Sequence, residues 1–521
     1  MNVILTDLPS PVGSSGSGSE TYIGAHVAGA GFAETLMQSA QLDRLIVYAP
    51  AGRRRRVASR LAGYASSDKA QVMDDADIRE ALGPNDQVVV QNLSPHLWRG
   101  THLRWLCGSR PWPVIGITYS LSDPRVYQEL MLSLIGGLQP YDAVVCVTEC
   151  ARGVVQRMLA SIRRTIQDAS LPRLSVIPLG VDTRRFRPSP QEQARNTLRL
   201  PKDATVVLYL GRLSSCCKAD LFPLLQAFAN VGEISRRLLV IAGGTTVGES
   251  AIVPLKFRCA ELGLTALVRW FLNVPPERRQ VLLSAADIFV SPVDSVQETF
   301  GLTLVEAMAC GLPVIAADWD GYREIVDAPR TGILVPTLLA GDLLRISRVA
   351  PLEDDAWVHW ELGQAAALDV EHLTDALVRL MRDPDLRKKM GAKARQRVCE
   401  LFDWSSVICA FQDEWARLSF SARNSNSCPP PSPYWYDYGD VFSGHASARL
   451  RLDSVVRRVT WADASASPVT CPPPFLSREM LTDTLRSLEV PTMICSLPGR
   501  PATLLQHVAY LVKHGLVKEV S

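Results

Sequence analysis

Two carboxylates stand eight positions apart in Glu298-Thr-Phe-Gly-Leu-Thr-Leu-Val-Glu306. The stretch follows an apolar run, Asp287–Ser291, that reads as a strand. It opens an apolar helical run, Leu302–Cys310, which Gly311 and Pro313 end. Glu298 therefore falls in a strand-to-helix loop, and Glu306 one turn into the helix. Backbone N–H groups around Phe300, Gly301 and Leu302 point out of the helix N-terminus, a ready site for a phosphate. A carboxylate on each side of it can accept hydrogen bonds from sugar hydroxyls. A second loop, Gly211-Arg212-Leu-Ser-Ser-Cys-Cys-Lys218, directly follows the predicted strand Val206–Leu210. An Arg and a Lys in one loop can clamp a diphosphate, the Arg bidentately. When a bond between a sugar and a nucleoside diphosphate breaks, negative charge grows on the leaving phosphate. Prepositioned cations stabilise that charge, and removing one typically costs ~10²–10³ in rate.

The elements that must carry these loops are legible as two runs of alternating strands and helices. Strands are expected at Val3–Thr6, Leu45–Tyr48, Gln87–Gln91, Pro113–Thr118, Ala143–Val147 and Ser175–Ile177. After the hinge-like Pro178-Leu-Gly-Val-Asp182 the pattern restarts, at Thr205–Leu210, Leu238–Ala242, Val268–Leu272, Ile288–Ser291, Pro313–Ala316 and Ile333–Val335. Strands alternating with helices imply mostly parallel sheets with helices on both faces. The fold class is thus α/β, two Rossmann-like doubly wound domains facing a cleft, and ligands bind such sheets at the carboxyl ends of their strands. The expected division is 1–180, an N-terminal domain; 181–420, a second domain with a closing helix around Trp404–Leu418; and 421–521. In the last part Cys428-Pro-Pro-Pro-Ser-Pro433 and Cys471-Pro-Pro-Pro474 are stiff punctuation around an aromatic cluster, Tyr434–Tyr438. Short helical patterns end the chain, with His514 as a helix C-terminal residue before Gly515.

The two loops together resemble the retaining glycosyltransferases of the GT-B fold, in particular the large family 4. That family's E-x7-E signature matches Glu298 and Glu306, and its Arg/Lys pair matches Arg212 and Lys218. Val176–Asp182, Gly311–Ala316 and Glu324–Pro336 also match. The likeness is strong over residues ~175–420, weaker before them and absent after them. It implies transfer of a sugar from a nucleoside diphosphate sugar to a hydroxyl acceptor with retention at the anomeric carbon, in glycan, polysaccharide or glycolipid synthesis. It also implies residue roles: Glu306 on the ribose, Glu298 on the transferred sugar, the base near Asn273 and Val274, and the first domain receiving the acceptor. Two other readings stay open, a catalytically silent sugar-nucleotide-binding protein and a same-fold epimerase or phosphorylase.

The sequence departs from the family in places. Tyr119, in Gly116-Ile-Thr-Tyr119-Ser120, stands where a His contacting the donor sugar is common. Ala219 replaces the Gly after the phosphate Lys, and Asp320-Gly-Tyr-Arg323 replaces a Gly-Gly pair. The family has a Gly-rich loop facing the cleft after its first strand, and here that loop carries Gly13, Gly16 and Gly18. The order is G-x-x-G-x-G, and the second strand ends Tyr48-Ala-Pro50 without an acidic residue for a ribose, so a nicotinamide site is not expected. Asp318-Trp-Asp320 and Asp75-Ala-Asp77 have the D-x-D form that holds metal in a different glycosyltransferase fold. Arg212 and Lys218 can neutralise a diphosphate themselves, so neither metal nor cofactor is expected.

Bulk properties narrow the remaining classes. Lys and Arg total 55 against 53 Asp and Glu, a formal charge of +2, and nothing in that balance demands nucleic acid. The 12 Cys show no CxxC pair and no zinc spacing; Cys146, Cys310 and Cys409 sit in apolar runs and read as small core residues. The N-terminus reads as a strand rather than a signal peptide, and no apolar run approaches the ~20 residues of a membrane span. A reducing cytoplasm is the expected compartment. Basic residues cluster at Arg53–Arg56 and on the helix Arg152–Gln167. There Val154, Val155, Met158, Leu159, Ile162 and Ile166 form an apolar stripe, with Arg157, Arg163 and Arg164 elsewhere. Two readings stay open for that helix, an ordinary Rossmann surface helix and peripheral attraction to anionic lipid head groups. The 421–521 tail is a candidate for protein contact or for packing on the enzyme.

Overall fold

The computed structural model describes residues 1–11, 24–38, 41–215, 217–232, 234, 236–245, 248–445, 449–460, 469, 472–473 and 476–520. They fall into two compact units, one of residues 1–49 and 56–432, the other of residues 50–55 and 433–521.

The first unit holds two parallel sheets. One contains β1 Asn2–Leu5, β2 Arg44–Tyr48, β3 Ala70–Met73, β4 Val88–Gln91, β5 Val114–Ile117, β6 Ala143–Cys146 and β7 Arg173–Val176, in the order β3-β2-β1-β4-β5-β6-β7. The other contains β8 Thr205–Leu210, β9 Arg237–Gly243, β10 Val268–Leu272, β11 Ile288–Ser291, β12 Val314–Ala317 and β13 Gly332–Val335, in the order β10-β9-β8-β11-β12-β13. Central strands such as Val-Val-Val-Gln in β4 and Ala-Val-Val-Cys in β6 are buried at every position. That is what a parallel sheet covered on both faces requires of its sequence. In each sheet the strand order reverses once, between β1 and β4 and between β8 and β11. Loops leaving the carboxyl ends at such a reversal splay apart and leave a crevice.

Strand β3 was not expected from the sequence. Its four residues, Ala-Gln-Val-Met, lie at a sheet edge and only Ala70 is buried, so no apolar run announces it. An antiparallel pair, β14 Thr337–Leu339 with β15 Ala366–Leu368, likewise has no strong pattern; it brackets the helices Leu344–Val349 and Asp355–Gln364.

The helix Trp404–Arg423 returns from the second sheet to the first. Its Phe411 meets Phe32 edge-on with ring centroids 4.9 Å apart, and its buried Trp415 Nε1 donates to Gln91 Oε1 at 3.0 Å. Where it leaves the second sheet it runs beside the other crossing segment: Val181 N donates to Phe402 O at 2.8 Å and Trp404 N to Val181 O at 3.2 Å. Asp403 caps the helix through Ser405 N at 2.9 Å. Inside the first sheet layer a buried Arg104–Asp142 pair is bidentate, at 2.7 and 3.0 Å, and Asp142 also accepts from Val114 N and Gln139 N at 2.8 Å each. The Pro-rich stretch begins against this unit, with Ser427 donating to Gln139 and Ser432 bonded to His102 at 2.8 Å.

The second unit contains the expected short helices, Arg478–Ser487 and Pro501–Lys513, the latter capped at His514 ahead of Gly515. It also forms a small antiparallel sheet, β16 Val455–Arg458, β17 Thr492–Met493 and β18 Val517–Glu519, in the order β17-β16-β18. Its own core gathers Val456, Leu481, Leu485, Leu504, Val508 and Leu511. Strands of two to four residues give no period to read, which is why only the helices were foreseen. Among the described residues no helix is long and apolar enough to cross a membrane.

Candidate active site

Most of the residues singled out by chemistry leave the carboxyl ends of the second sheet at its reversal point. Arg212 and Lys218 follow β8, Glu298 follows β11, Asn273 and Val274 follow β10, and Tyr119 reaches in after β5 of the first sheet. With Phe300, Gly301, Leu302 and Glu306 they line one cavity of about 580 Å³. Gly13, Gly16 and Gly18 lie outside the described residues.

Backbone geometry shapes this cavity. Gly301 begins the helix Leu302–Ala309 in a left-handed conformation, φ +102°, and a Cβ there would sit 2.2 Å from the Tyr322 ring. No side chain caps the helix, so its first N–H groups stay turned toward the cavity. At the ends of β8 and β9 the chains come so close that a Cβ on Gly243 would lie 1.6 Å from Gly211 O. Asn273 takes φ +49° and accepts from Thr245 N at 3.0 Å, fixing the turn that presents Val274 and Pro275.

The charged lining consists of four cations, Arg185, Arg212, Lys218 and Arg279, and two carboxylates, Glu298 and Glu306, among the described residues. Each carboxylate is paired. Lys218 Nζ donates to Glu298 Oε2, and Arg279 Nη2 donates to Glu306 Oε2 at 2.6 Å. Arg212 donates to Gln297 Oε1 and Cys217 O, both at 3.0 Å, and Arg185 to Pro276 O at 3.0 Å. The cavity thus holds two more basic than acidic side chains among the described residues. Burial pushes the Lys218 ammonium down, to about 7; the guanidiniums of Arg212 and Arg279 act in the same direction and Glu306 against it. Burial raises the Glu306 carboxyl, opposed by Arg279, Arg185 and Lys218 in that order.

The two sheets meet across this region. Thr299 Oγ1 donates to Tyr119 O at 2.6 Å, and Thr148 Oγ1 to Thr299 O at 3.3 Å. Glu324 accepts from Glu149 N at 2.7 Å and Cys150 N at 3.0 Å, capping the helix Glu149–Arg163 from the opposite sheet. Ser122 Oγ bonds His359 Nε2 at 2.7 Å. The Tyr119 hydroxyl is buried with no partner among the described residues.

Sequence reasoning did not find Arg185, Arg279, Gln297 or Thr299. The first two sit in runs of arginine, Arg184-Arg185 and Arg278-Arg279, that look like solvated surface. Only the packing of the Pro276–Ala285 segment beside the helix Leu302–Ala309 shows which arginine turns inward. Other motifs resolve into structural roles. Asp75-Ala-Asp77 forms a capping box with Asp74 at the start of the helix Asp75–Ala81. Asp318 pairs with Arg323 at 3.0 Å, while Asp320 is half-buried with its Oδ2 turned inward. Cys409 is exposed, unlike Cys146 and Cys310, because it faces outward on the helix Trp404–Arg423. On the helix Glu149–Arg163, Val155, Leu159 and Ile162 are buried and Val154 and Met158 pack against the same core. The apolar stripe is therefore used up inside, and Arg152, Arg157, Arg163 and Arg164 are among the residues left exposed.

A model of the family described as glycosyl transferases group 1 matches residues 190–345. Among curated proteins the chain is similar to D-inositol 3-phosphate glycosyltransferase 2 of Catenulispora acidiphila, 30% identical over 300 residues, 53% of this chain and 69% of that one. It is similar to the D-inositol 3-phosphate glycosyltransferase of Thermobispora bispora, 30% identical over 311 residues, 55% of this chain and 71% of that one. Among solved structures, sucrose-phosphate synthase from Thermosynechococcus elongatus superposes with a TM-score of 0.54 at 20% identity, over 81% of this chain and 99% of that one. Anabaena HepE in complex with UDP and glucose gives 0.54 at 16%, over 80% of this chain and 100% of that one. These likenesses give the arrangement of the two sheets as the GT-B fold.

Proposed function

The chain belongs to the glycosyl transferases group 1 family, and from that premise we propose that it transfers a sugar from a nucleoside diphosphate sugar to a hydroxyl acceptor with retention of configuration, as in the family 4 branch its motifs resemble. The observation that carries this reading is the charge of the cavity. An excess of two basic side chains over carboxylates, beside an uncapped helix N-terminus, suits a diphosphate, whose own charge favours the charged form of Lys218.

On this reading residues 181–420 hold the donor, residues 1–180 receive the acceptor, and residues 421–521 stand outside the reaction. Arg212, Lys218 and the N–H groups of Phe300, Gly301 and Leu302 bind the diphosphate. Asn273 and Val274 border the base, Glu306 holds the ribose, and Tyr119 and Glu298 face the transferred sugar. As the bond from the anomeric carbon to the phosphate oxygen breaks, its electron pair stays on the phosphate, and the clamp stabilises the charge that grows there. Glu298 offsets the positive charge of the sugar ring. The acceptor hydroxyl bonds to the anomeric carbon on the face the phosphate leaves, and its proton passes to the leaving phosphate. No step here calls on a metal.

The relatives' names make inositol 3-phosphate the first acceptor to try. Thermal-shift screening against UDP-, GDP-, dTDP- and ADP-sugars tests the donor, since a ligand at 100 times its Kd adds roughly 2.7 kcal/mol of stability. A shift with one sugar nucleotide, followed by its consumption with acceptor, is the expected result. No shift with any of them overturns the reading, and a requirement for inorganic phosphate would indicate a phosphorylase instead. Contact of the exposed arginines at 152, 157, 163 and 164 with anionic head groups is a separate proposal. Without a free apolar stripe it would be electrostatic and lost in high salt, which liposome flotation measures.

A further inference from the structure

Arg279 has no place in the motifs, yet it is bonded directly to a carboxylate of the site. It begins the helix Arg279–Ala285, directly after the turn Asn273–Arg278 that borders the cavity on one side. From there its Nη2 reaches 2.6 Å to Glu306 Oε2 on the neighbouring helix. Glu306 is 3% exposed and Arg279 19%. Among the described residues Glu306 Oε1 has no hydrogen-bond partner, and neither have the remaining guanidinium N–H groups of Arg279. Both side chains line the cavity.

A carboxylate this deep in the protein is costly to keep charged unless a cation is bonded to it. An ionised carboxylate is an acceptor only, and both hydroxyls of a ribose are donors to it. The pair therefore offers an acceptor oxygen, turned in a fixed direction, beside uncommitted guanidinium donors. We propose that Arg279 is a positioning residue that gives this cavity its preference for ribose over 2′-deoxyribose, by holding Glu306 charged with Oε1 presented to the nucleoside's vicinal hydroxyls. The proposal rests on the cavity being the nucleotide site.

The groups facing Glu306 are Arg279, Arg185 and Lys218, with Cys310 below it on its own helix. With Arg279 removed, burial acts on Glu306 against only Arg185 and Lys218, and its carboxyl holds a proton to higher pH. The loss should therefore be largest at low pH and shrink as pH rises and Glu306 ionises.

The test is calorimetric titration of the full chain, first with UDP, GDP, ADP and dTDP, then with the 2′-deoxy form of the best binder. The wild type is expected to favour the ribonucleotide about tenfold at pH 6.5. Arg279→Leu should bring the two within about twofold, and Arg279→Lys should keep most of the preference. Between pH 6 and 8 the Arg279→Leu variant should regain preference relative to wild type, and Glu306→Gln in that background should abolish the recovery. A merely structural role would weaken both nucleotides equally at every pH. Should Arg279→Leu fold poorly, Arg279→Gln supplies the same comparison. Retained preference in these variants, or dTDP as the best wild-type ligand, overturns the proposal while leaving the nucleotide site standing. Binding of none of the four nucleotides removes both.

Discussion

At the scale of single residues the two carboxylates should fail differently, because each is tied to a different cation. Glu306 is buried beside Arg279; on the proposed reading it faces the ribose, which does not react, so its contacts are alike in ground and transition states. Glu306→Gln is expected to weaken nucleoside diphosphate binding about tenfold, the cost of one charge-assisted hydrogen bond, with turnover at saturating donor little changed. Glu298 pairs with Lys218, on the same reading where charge develops. Glu298→Gln is expected to lower turnover about 100-fold with donor affinity near that of wild type. Calorimetry beside saturating kinetics separates the two, and the reverse pattern would exchange the roles. Lys218 adds a pH dependence. Burial pushes its ammonium down to about 7, and a bound diphosphate favours its charged form, so binding takes up a proton above that pH. Affinity should be full below about 7 and fall as pH rises toward 9, with proton uptake visible as a buffer-dependent binding heat. Lys218→Arg, which keeps its charge throughout this range, should flatten the profile. A flat wild-type profile would take Lys218 away from the phosphates.

At the scale of elements, the strands were legible where both faces are covered. Val-Val-Val-Gln in β4 and Ile-Phe-Val-Ser in β11 are continuous apolar runs, and each was placed within a residue of its position. Strand β3 escaped because an edge strand of Ala-Gln-Val-Met buries too little to need an apolar run. The loops after β8 and β11 could be singled out because Arg, Lys and Glu at strand ends are the residue types a phosphate and sugar site would need, and they do line one cavity. Arg279 was not, since nothing in Arg278-Arg279 says which side chain turns inward. That depends on how the fold brings together Arg279 and Glu306, 27 residues apart in sequence. The Arg104–Asp142 pair was equally silent in sequence. It is buried, bidentate, and joined to the backbone N–H of Val114 at the start of β5 and of Gln139 in the loop before β6. Breaking it leaves an uncompensated buried charge, so Asp142→Asn is expected to cost about 3–5 kcal/mol in denaturant unfolding. A loss below about 1 kcal/mol would show that water or rearrangement satisfies Arg104.

At the scale of the whole molecule, every described residue lining the cavity belongs to the unit of residues 1–49 and 56–432. The unit of residues 50–55 and 433–521 has its own small core. A chain ending at Ser432 is therefore expected to bind the same nucleoside diphosphate within about twofold of the full chain, whatever the tail contributes elsewhere; a loss of 1.4 kcal/mol, tenfold, would tie the tail to the site. Two sheets joined by paired crossing segments, with loops from both meeting at Tyr119 and Thr299, bring a cation clamp and two carboxylates to one place. The most direct measurement of that account is calorimetric titration of UDP, GDP, ADP and dTDP into the wild type and into an Arg212→Ala/Lys218→Ala variant. The account predicts that one nucleoside diphosphate binds the wild type and that the variant binds it at least about 100-fold more weakly, while the bare nucleoside binds both alike. Equal binding of the diphosphate by wild type and variant would contradict it, because the phosphates would then be held somewhere other than between these two loops.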